Sequence, residues 1–336
     1  MGDPNMEVTT VERLFQTLDE TASLLEKELD CTYLDALIET GENVFQNKVL
    51  QPDVSEMTVK RLEKAYDEIN RMSYTREDIR KAFQLACLKG MRKNVQPHHQ
   101  MTPDTIGFLL SYLIGKFLNE KRTFTILDIA VGTGNLLTTI LNQLPNSSLK
   151  AYGVELDELL IKIAYVNANL QEHSIQLYNQ DSLKPLLIDP VDLVVSDLPV
   201  GYYPNKFLSE PFELTSSHDH SFIHYLMIEQ GMKYTKPGGY LFFIIPNNLF
   251  EGSESKQLHT FIKKHLHIQA LFQLPSTMFK DGRLGKSILI LQKNGEGVKP
   301  PKEVLLANLP SLKDKDAVES IMVKINRWFM ENKREA

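Results

Sequence analysis

Ile126-Leu127-Asp128-Ile129-Ala130-Val131-Gly132-Thr133-Gly134-Asn135-Leu136-Leu137 is the stretch on which the fold turns. The apolar run Phe124–Ala130 predicts a strand whose end carries Asp128. A Gly-Thr-Gly turn follows, and a helix is expected from Asn135. Glycines let a backbone come close to a ligand, and a helix N-terminus offers N–H groups with no intrahelical partner. A dinucleotide site would need G-x-G-x-x-G, its third glycine packing helix on strand. Leu137 stands at that third position. Asp128 would repel a pyrophosphate but suit a cationic amino group.

Two more acids continue the pattern. Tyr152-Gly153-Val154-Glu155 closes the next apolar run, and Glu155 lies 21 positions after Gly134. A carboxylate there can accept from both hydroxyls of a ribose. Asn179-Gln180-Asp181-Ser182 ends the third run, and Asp181 can accept from an adenine amino group. Singly, Asp181 reads as a surface carboxylate or a helix cap. Together, three acids at three successive strand ends around a two-glycine turn fit a ligand with an ammonium, a ribose diol, an adenine amine and no phosphate. That ligand is S-adenosylmethionine.

Working outward, apolar runs alternate with helical patterns. The runs are Phe124–Ala130, Leu149–Val154, Ile175–Tyr178, Val191–Ser196, Tyr240–Ile245, Ile268–Leu274 and Ser287–Leu291. Helices are expected over 135–144, 157–171, 219–235 and 254–265, and one after Thr102-Pro103. The alternation predicts a parallel α/β sheet with helices on both faces. The loop Pro275–Lys286 has no helical pattern, so the two strands it joins are open to antiparallel pairing. Gly295–Pro301 reads as a short linker. An amphipathic helix is expected over Lys313–Lys333, with Val318, Ile321, Met322, Ile325 and Phe329 as its stripe.

Residues 1–95 follow a different grammar. Val11, Leu14, Phe15, Leu18, Leu24 and Leu25 recur at helical spacing, as do Leu62, Ala65, Tyr66 and Ile69. Ser73-Tyr74-Thr75 interrupts, and a helix through Ile79, Phe83, Leu85 and Leu88 is expected to stop at Gly90. This predicts an α-helical domain over 1–95 and a second domain over 96–336.

Composition narrows the function classes. The 336 residues are 42% hydrophobic and 24% charged, as in a globular protein. The net charge of −6 divides into −5 over 1–95, −2 over 96–295 and +1 over 296–336. No part has the basic excess of an autonomous nucleic-acid binder. The start, MGDPNMEVTTVERL, has no apolar core of a signal peptide, and no run is long enough to cross a bilayer. Cys31 and Cys87 are too few for a zinc site and read as small buried apolar residues. A cytoplasmic protein without a membrane partner is expected.

Residues 96–295 resemble the adenine-N6 DNA methylases, especially the modification subunit of type I restriction systems. Gln100-Met101-Thr102-Pro103 is similar to that family's Q-F-F-T-P. Asp128 to Leu137 is similar to its D-P-A-C-G-T-G-G-F-L. KPGGYLFFIIPNNLFEGSESKQLHTFI from Lys236 and LPSTMFKDGRLGKSILILQK from Leu274 resemble its later strands and closing hairpin. The resemblance implies a Rossmann-like class I methyltransferase with a mostly parallel seven-stranded sheet, plus the helical N-terminal domain. It implies S-adenosylmethionine as cofactor, held by Met101, Thr102, Asp128, Ala130, Gly132, Gly134, Asn135, Leu136, Glu155, Leu156, Asp181, Ser182 and Asp197. DNA is the implied nucleic-acid partner.

The family's catalytic N-P-P-Y corresponds here to Asp197-Leu198-Pro199-Val200. An adenine amino group is a poor nucleophile because its lone pair is delocalised into the ring. The side-chain oxygen of Asp197 and the carbonyl of Leu198 would accept its two hydrogens and hold the nitrogen toward the methyl. Val200 replaces the aromatic that stacks on a flipped base, a contact worth ~1–3 kcal/mol. Tyr202 or Tyr203 is the nearest substitute, with loop packing as the bland alternative. The chain has no large insertion after Tyr203, so sequence readout would need a separate specificity or partner subunit, or a non-duplex substrate.

Three other functions stay open. The first is a degenerate methylase acting as a cofactor-binding regulatory or interaction module. The second is a methyltransferase for RNA or a protein amide nitrogen. The third, an NAD-dependent oxidoreductase, is opposed by Leu137 and Asp128. His98 and His99 precede Gln100-Met101-Thr102-Pro103, and a metal reading of the later cluster would use His218 and His220 with Asp219 or His224. Methyl transfer from a sulfonium needs no metal, and none is expected. The alternative is a polar loop with Asp219 or Ser221 capping the next helix.

Overall fold

The computed structural model describes residues 8–93, 101–118, 123–144, 148–252, 254–279, 285–311 and 314–332. The chain opens with helices α1 (Thr10–Glu28), α2 (Tyr33–Gln46), α3 (Glu56–Arg71), α4 (Arg76–Lys93) and α5 (Asp104–Phe117). Then come β1 (Thr123–Asp128), α6 (Asn135–Gln143), β2 (Ser148–Glu155), α7 (Glu158–Leu170), β3 (Ile175–Asn179) and β4 (Val191–Asp197). A hairpin of β5 (Tyr202–Pro204) and β6 (His220–Phe222) precedes α8 (Ile223–Lys233) and β7 (Thr235–Pro246). The chain ends with α9 (Ser255–His265), β8 (Leu266–Gln273), β9 (Lys286–Lys293), β10 (Leu305–Asn308) and α10 (Lys315–Asn332).

Two compact units result: 1–114 with 131–146 and 155–179, and 115–130 with 147–154 and 180–336. In the first, α1 starts with a capping box. The Glu12 N–H donates to Thr9 Oγ1 at 3.2 Å, and the Thr9 N–H donates to Glu12 Oε2 at 2.8 Å. Leu14, Leu18 and Leu25 of α1 share one core with Leu37, Leu62, Phe83, Ile163 and Val166. Each such side chain contributes about 1.5–3 kcal/mol by leaving water. The last two belong to α7, so this core takes in a helix that follows the glycine turn. Helix α2 is not marked in the sequence pattern, although Tyr33, Leu34, Leu37 and Val44 are buried. Gly90 is not a helix stop. It lies inside α4, where an added Cβ would collide with Leu34 and Tyr33 of α2. A small residue permits that close crossing, and the helix runs on to Lys93.

The second unit's strands run in the order β10-β8-β9-β7-β4-β1-β2. Pairs β1/β2, β1/β4, β4/β7 and β8/β10 are parallel, while β9 is antiparallel to both β7 and β8. Leu193, Val194 and Val195 of β4, and Phe242, Phe243 and Ile244 of β7, are fully buried. Covered faces explain why these strands read as continuous apolar runs. The architecture is a helical N-terminal region followed by a mostly parallel α/β sheet. Strand β10 is an addition to the seven strands expected. Gly295–Pro301 therefore leads into the sheet edge instead of linking separate parts. Four residues are too short a run to stand out in sequence. Helix α10 buries Ile325, Trp328 and Phe329. Phe117 meets Phe329 edge-on at 4.8 Å and Trp328 at 5.8 Å, so the lower end of the expected stripe carries the packing. Among the described residues no helix is long and apolar enough to cross a membrane.

Candidate functional site

In the second unit, β1 delivers Asp128 to the start of the loop. Its carboxylate is buried and its Oδ1 accepts from the Ala130 N–H at 3.0 Å and from Ser196 Oγ of β4 at 2.8 Å. Ser182 Oγ donates to the Ile129 carbonyl at 2.5 Å, and Gln230 Nε2 donates to the Ser182 carbonyl at 2.5 Å. The loop start is thus tied to the segment that follows β3. Asp181 Oδ1 accepts from the Leu183 N–H at 2.9 Å, and Oδ2 accepts from the Tyr203 hydroxyl at 2.6 Å. Burial and the Asp181 charge both raise the Tyr203 pKa.

In the first unit, Gly132 and Gly134 have φ of 55° and 76°, a region that disfavours side chains. A Cβ on Gly134 would press on Ala164 of α7, whereas the space beside Gly132 is open. Glu155 Oε2 accepts from the Gly132 N–H at 2.9 Å and Oε1 from the Asp157 N–H at 3.0 Å. Asn179 Nδ2 donates to the carbonyls of Glu155 and Leu156, while the Leu156 side chain is exposed. Asn135 opens α6 beside the buried Leu136, and its Nδ2 donates to the Thr102 carbonyl at 3.2 Å. Met101 packs partly against the helical core. Gln100, His98 and His99 lie outside the described residues.

One group in this unit carries no sequence signal. Arg80 of α4 is completely buried and donates to Asn135 Oδ1 at 2.6 Å. Its guanidinium also forks onto Glu77 at 2.7 and 2.8 Å and onto Asp104 at 2.7 and 3.0 Å. Burial opposes its charge, but the two carboxylates prevail and raise its pKa. An arginine at helical spacing reads as a solvated face until Asp104 and Asn135, far along the chain, are brought to it.

The catalytic candidates sit at the end of β4. The Leu198 N–H donates to the Ile244 carbonyl of β7 at 3.0 Å, so the turn is anchored where the buried strands end. Leu198 is buried, Pro199 half-buried and Val200 exposed. Lys286 Nζ of β9 donates to Asp197 Oδ1 at 2.6 Å, a partner that the motif itself did not reveal. The chain then forms the β5/β6 hairpin, pairing Tyr202 with Phe222 and Tyr203 with Ser221. The rings of Tyr202 and Phe222 stack at 5.0 Å and 29°. A cleft of about 430 Å³ is lined by Val200, Tyr202, Phe222, His224, Tyr225 and Asn248, among others. This volume is that of a small-molecule site.

The histidines do not behave as the sequence suggests. The helix expected from 219 begins at Ile223, because 220–222 is strand. Neither Asp219 nor Ser221 caps it; Phe222 is at the N-cap with no side-chain bond, and Ser221 Oγ donates to Asn205 Oδ1 at 2.6 Å. His220 pairs with Pro204 on the hairpin, and the His218 N–H donates to Ser216 Oγ at 3.1 Å. No group of three or more metal-ligating side chains gathers among the described residues.

Residues 12–91 match the family described as the YtxK N-terminal helical domain, and residues 99–334 match the N-6 DNA methylase family. The uncharacterised protein YtxK of Bacillus subtilis is 49% identical over 329 residues, covering 98% of this chain and all of that protein. A solved structure from Listeria monocytogenes, a candidate class I S-adenosylmethionine-dependent methyltransferase, is 50% identical with a TM-score of 0.88. It covers 95% of this chain and 99% of its own. The modification subunit of a candidate type I restriction enzyme from Vibrio vulnificus shares the fold, with a TM-score of 0.69 at 13% identity over 96% of this chain and 91% of its own. With most of its length matched, the chain belongs to the N-6 DNA methylase family.

Proposed function

We propose that this chain is an S-adenosylmethionine-dependent methyltransferase acting on the exocyclic amino group of adenine in DNA. The observation that carries the reading is Asp197, held at the end of β4 and followed by an aromatic-walled cleft. The residues also fit the cofactor. The open space at Gly132 admits close approach, and Asp128, Glu155 and Asp181 supply acceptors for an ammonium, a ribose diol and an adenine amine. Met101, Thr102, Ala130, Gly134, Asn135, Leu136, Leu156 and Ser182 complete that binding set. When bound, the cofactor supplies an electrophilic methyl on a sulfonium. Asp197 and the Leu198 carbonyl accept the two amino hydrogens, aiming the nitrogen lone pair. The charge that grows on nitrogen meets the Asp197 carboxylate.

Tyr202 is the substitute for the aromatic missing at Val200. Tyr202 lines the cleft, whereas the Tyr203 hydroxyl is bound to Asp181. We assign residues 1–95 to a helical domain, 96–336 to the methyltransferase domain, and sequence readout to a separate specificity subunit. A second reading, a cofactor-binding module without turnover, is favoured by the Lys286–Asp197 contact and the exposed Val200. Transfer of labelled methyl to single-stranded DNA, duplex DNA and total RNA decides between them, with Asp197→Ala as control. Label in DNA that disappears in Asp197→Ala supports the enzyme. No label, from protein that binds the cofactor, supports the module. Label in RNA alone moves the acceptor to that class.

A further inference from the structure

His224 is 7% exposed, and its Nδ1 has no hydrogen-bond partner among the described residues. An orphaned buried polar atom costs ~1–3 kcal/mol, and such atoms are rare in native proteins. The ring is fixed against Phe222 at 5.3 Å and edge-on to Tyr225 at 5.1 Å. Tyr225 does not relieve it, since that hydroxyl donates to the Leu249 carbonyl at 2.8 Å. His224 lines the same cleft as Tyr202 and Val200. Burial holds its pKa down to about 4, so the imidazole stays neutral and has a hydrogen-bonding nitrogen to offer at neutral pH.

We infer that His224 is a specificity-determining residue, whose imidazole hydrogen-bonds the edge of a planar, nitrogen-bearing ring stacked on Tyr202. The inference rests on the methyltransferase reading and names how its acceptor is recognised. The wall explains why the ligand is a ring and not an amide side chain. Tyr202 covers one face with Phe222 and is still 67% exposed, so it presents a π-surface to the cleft. Stacking on such a surface accepts any base, because every base has a π-face. Discrimination must then come from a polar group at the ring's edge, and an unpaired, buried group rejects ligands that cannot satisfy it. His224 is that group, two residues beyond the stacked Phe222.

The test is calorimetric titration of the full chain, saturated with S-adenosylhomocysteine to block the cofactor site, with adenosine. Adenosine should bind, and His224→Phe should weaken it about tenfold, as for one lost hydrogen bond. His224→Gln, which keeps a polar side chain of similar reach, should recover most of that loss. Tyr202→Ala should weaken adenosine as well, and S-adenosylhomocysteine affinity should not move in any variant. Unmodified protein provides a second arm, independent of how the variants fold. Among 1-deaza-, 3-deaza- and 7-deazaadenosine, which all keep the amino group, one should bind about tenfold more weakly than adenosine. No binding of adenosine, equal binding of all the analogues, or His224→Phe binding like the parent would overturn the inference. Tighter binding of N-acetylglutamine amide than of adenosine would overturn it too. Adenosine binding that depends on His224, with no methyl transfer to any nucleic acid, would sink the proposed function and leave the inference standing.

Discussion

Lys286 Nζ lies 2.6 Å from Asp197 Oδ1, bringing a cation from β9 to the acid at the end of β4. Strand β7 lies between them, with Ile244 beside Asp197 and Pro246 opposite Lys286. The two side chains are only 22% and 20% exposed, so solvent screens them weakly. The contact fixes the place of the carboxylate that is proposed to accept from an amino group. Lys286→Met should therefore cost about 1–3 kcal/mol, between an exposed pair and a fully buried one. In an Asp197→Asn background the same change should cost much less. Urea unfolding of the four proteins measures the difference; coupling near zero would mean that the contact does not matter. Methyl transfer should fall with Lys286→Met, because the lysine holds the Asp197 carboxylate in place; a rise would mean that the lysine is an obstacle.

Asp181 gives a second prediction, on the cofactor. Its Oδ1 is pinned by the Leu183 N–H and its Oδ2 by Tyr203. Asp181→Ala should weaken S-adenosylhomocysteine about tenfold, as for the loss of one hydrogen bond. Tyr203→Phe should weaken it less, because the backbone still orients the carboxylate. Calorimetric titration of both variants reads this directly. Unchanged affinity in Asp181→Ala would remove it from the cofactor set.

Local signals account for what was legible in the sequence. Strands β4, β7 and β9 are dense apolar runs, and the acids Asp128, Glu155 and Asp181 stand at or just past the ends of β1, β2 and β3. Burial on both faces makes such strands visible without alternation. The hairpin β5/β6 was not legible, because three residues per strand carry no period and their pairing is long-range. His224 and Lys286 were illegible as site residues for a different reason. His224 differs from any helical histidine only by lining the cleft, and Lys286 meets Asp197 across 89 positions of chain. Gly90 misled because glycine marks both helix ends and close helix crossings, and only the neighbours Leu34 and Tyr33 tell them apart.

Arg80 supplies a third prediction, on stability. It is completely buried, with Glu77 and Asp104 on its guanidinium and Asn135 beyond. Arg80→Met would strand two carboxylates and an amide oxygen, which costs about 3–5 kcal/mol for a buried network. Arg76 and Glu172 form a contrast at 3.6 Å, with side chains 54% and 80% exposed. Arg76→Met should change stability by less than about 1 kcal/mol. Arg80→Met should also weaken S-adenosylhomocysteine, because Asn135 opens α6 directly after Gly134. Chemical denaturation and calorimetry on the two variants check both parts. Equal costs for the two arginines would show that burial of Arg80 adds nothing.

One buried and one half-buried histidine, His224 and His173, set the last prediction, on pH. Burial holds His173 and His224 down to about 4 from the ordinary 6.5, with Arg76 adding to the effect at His173. His173 Nε2 shares a hydrogen bond with Asn142 Oδ1 at 2.7 Å, and His224 lies among Phe222 and Tyr225. Between about pH 6.5 and about pH 4 the unfolded chain takes up protons on these imidazoles and the folded chain does not. Their contribution to stability is therefore complete above about pH 6.5 and is lost as the pH falls toward about 4. Each fully shielded histidine steepens the loss by up to about 1.4 kcal/mol per pH unit, and partly exposed His173 by less. Carboxylates held low by partners, such as Asp104 and Asp192, add to the loss in the acid range and must be subtracted. The double variant His173→Gln/His224→Asn performs that subtraction, since it keeps the carboxylates and removes both imidazoles. Its stability should fall less steeply than the parent's from pH 6.5 to about pH 4.5, measured by urea unfolding at each pH. Parallel curves would mean that neither histidine is held neutral by the fold, and would remove the reason for reading His224 as a neutral hydrogen-bonding group.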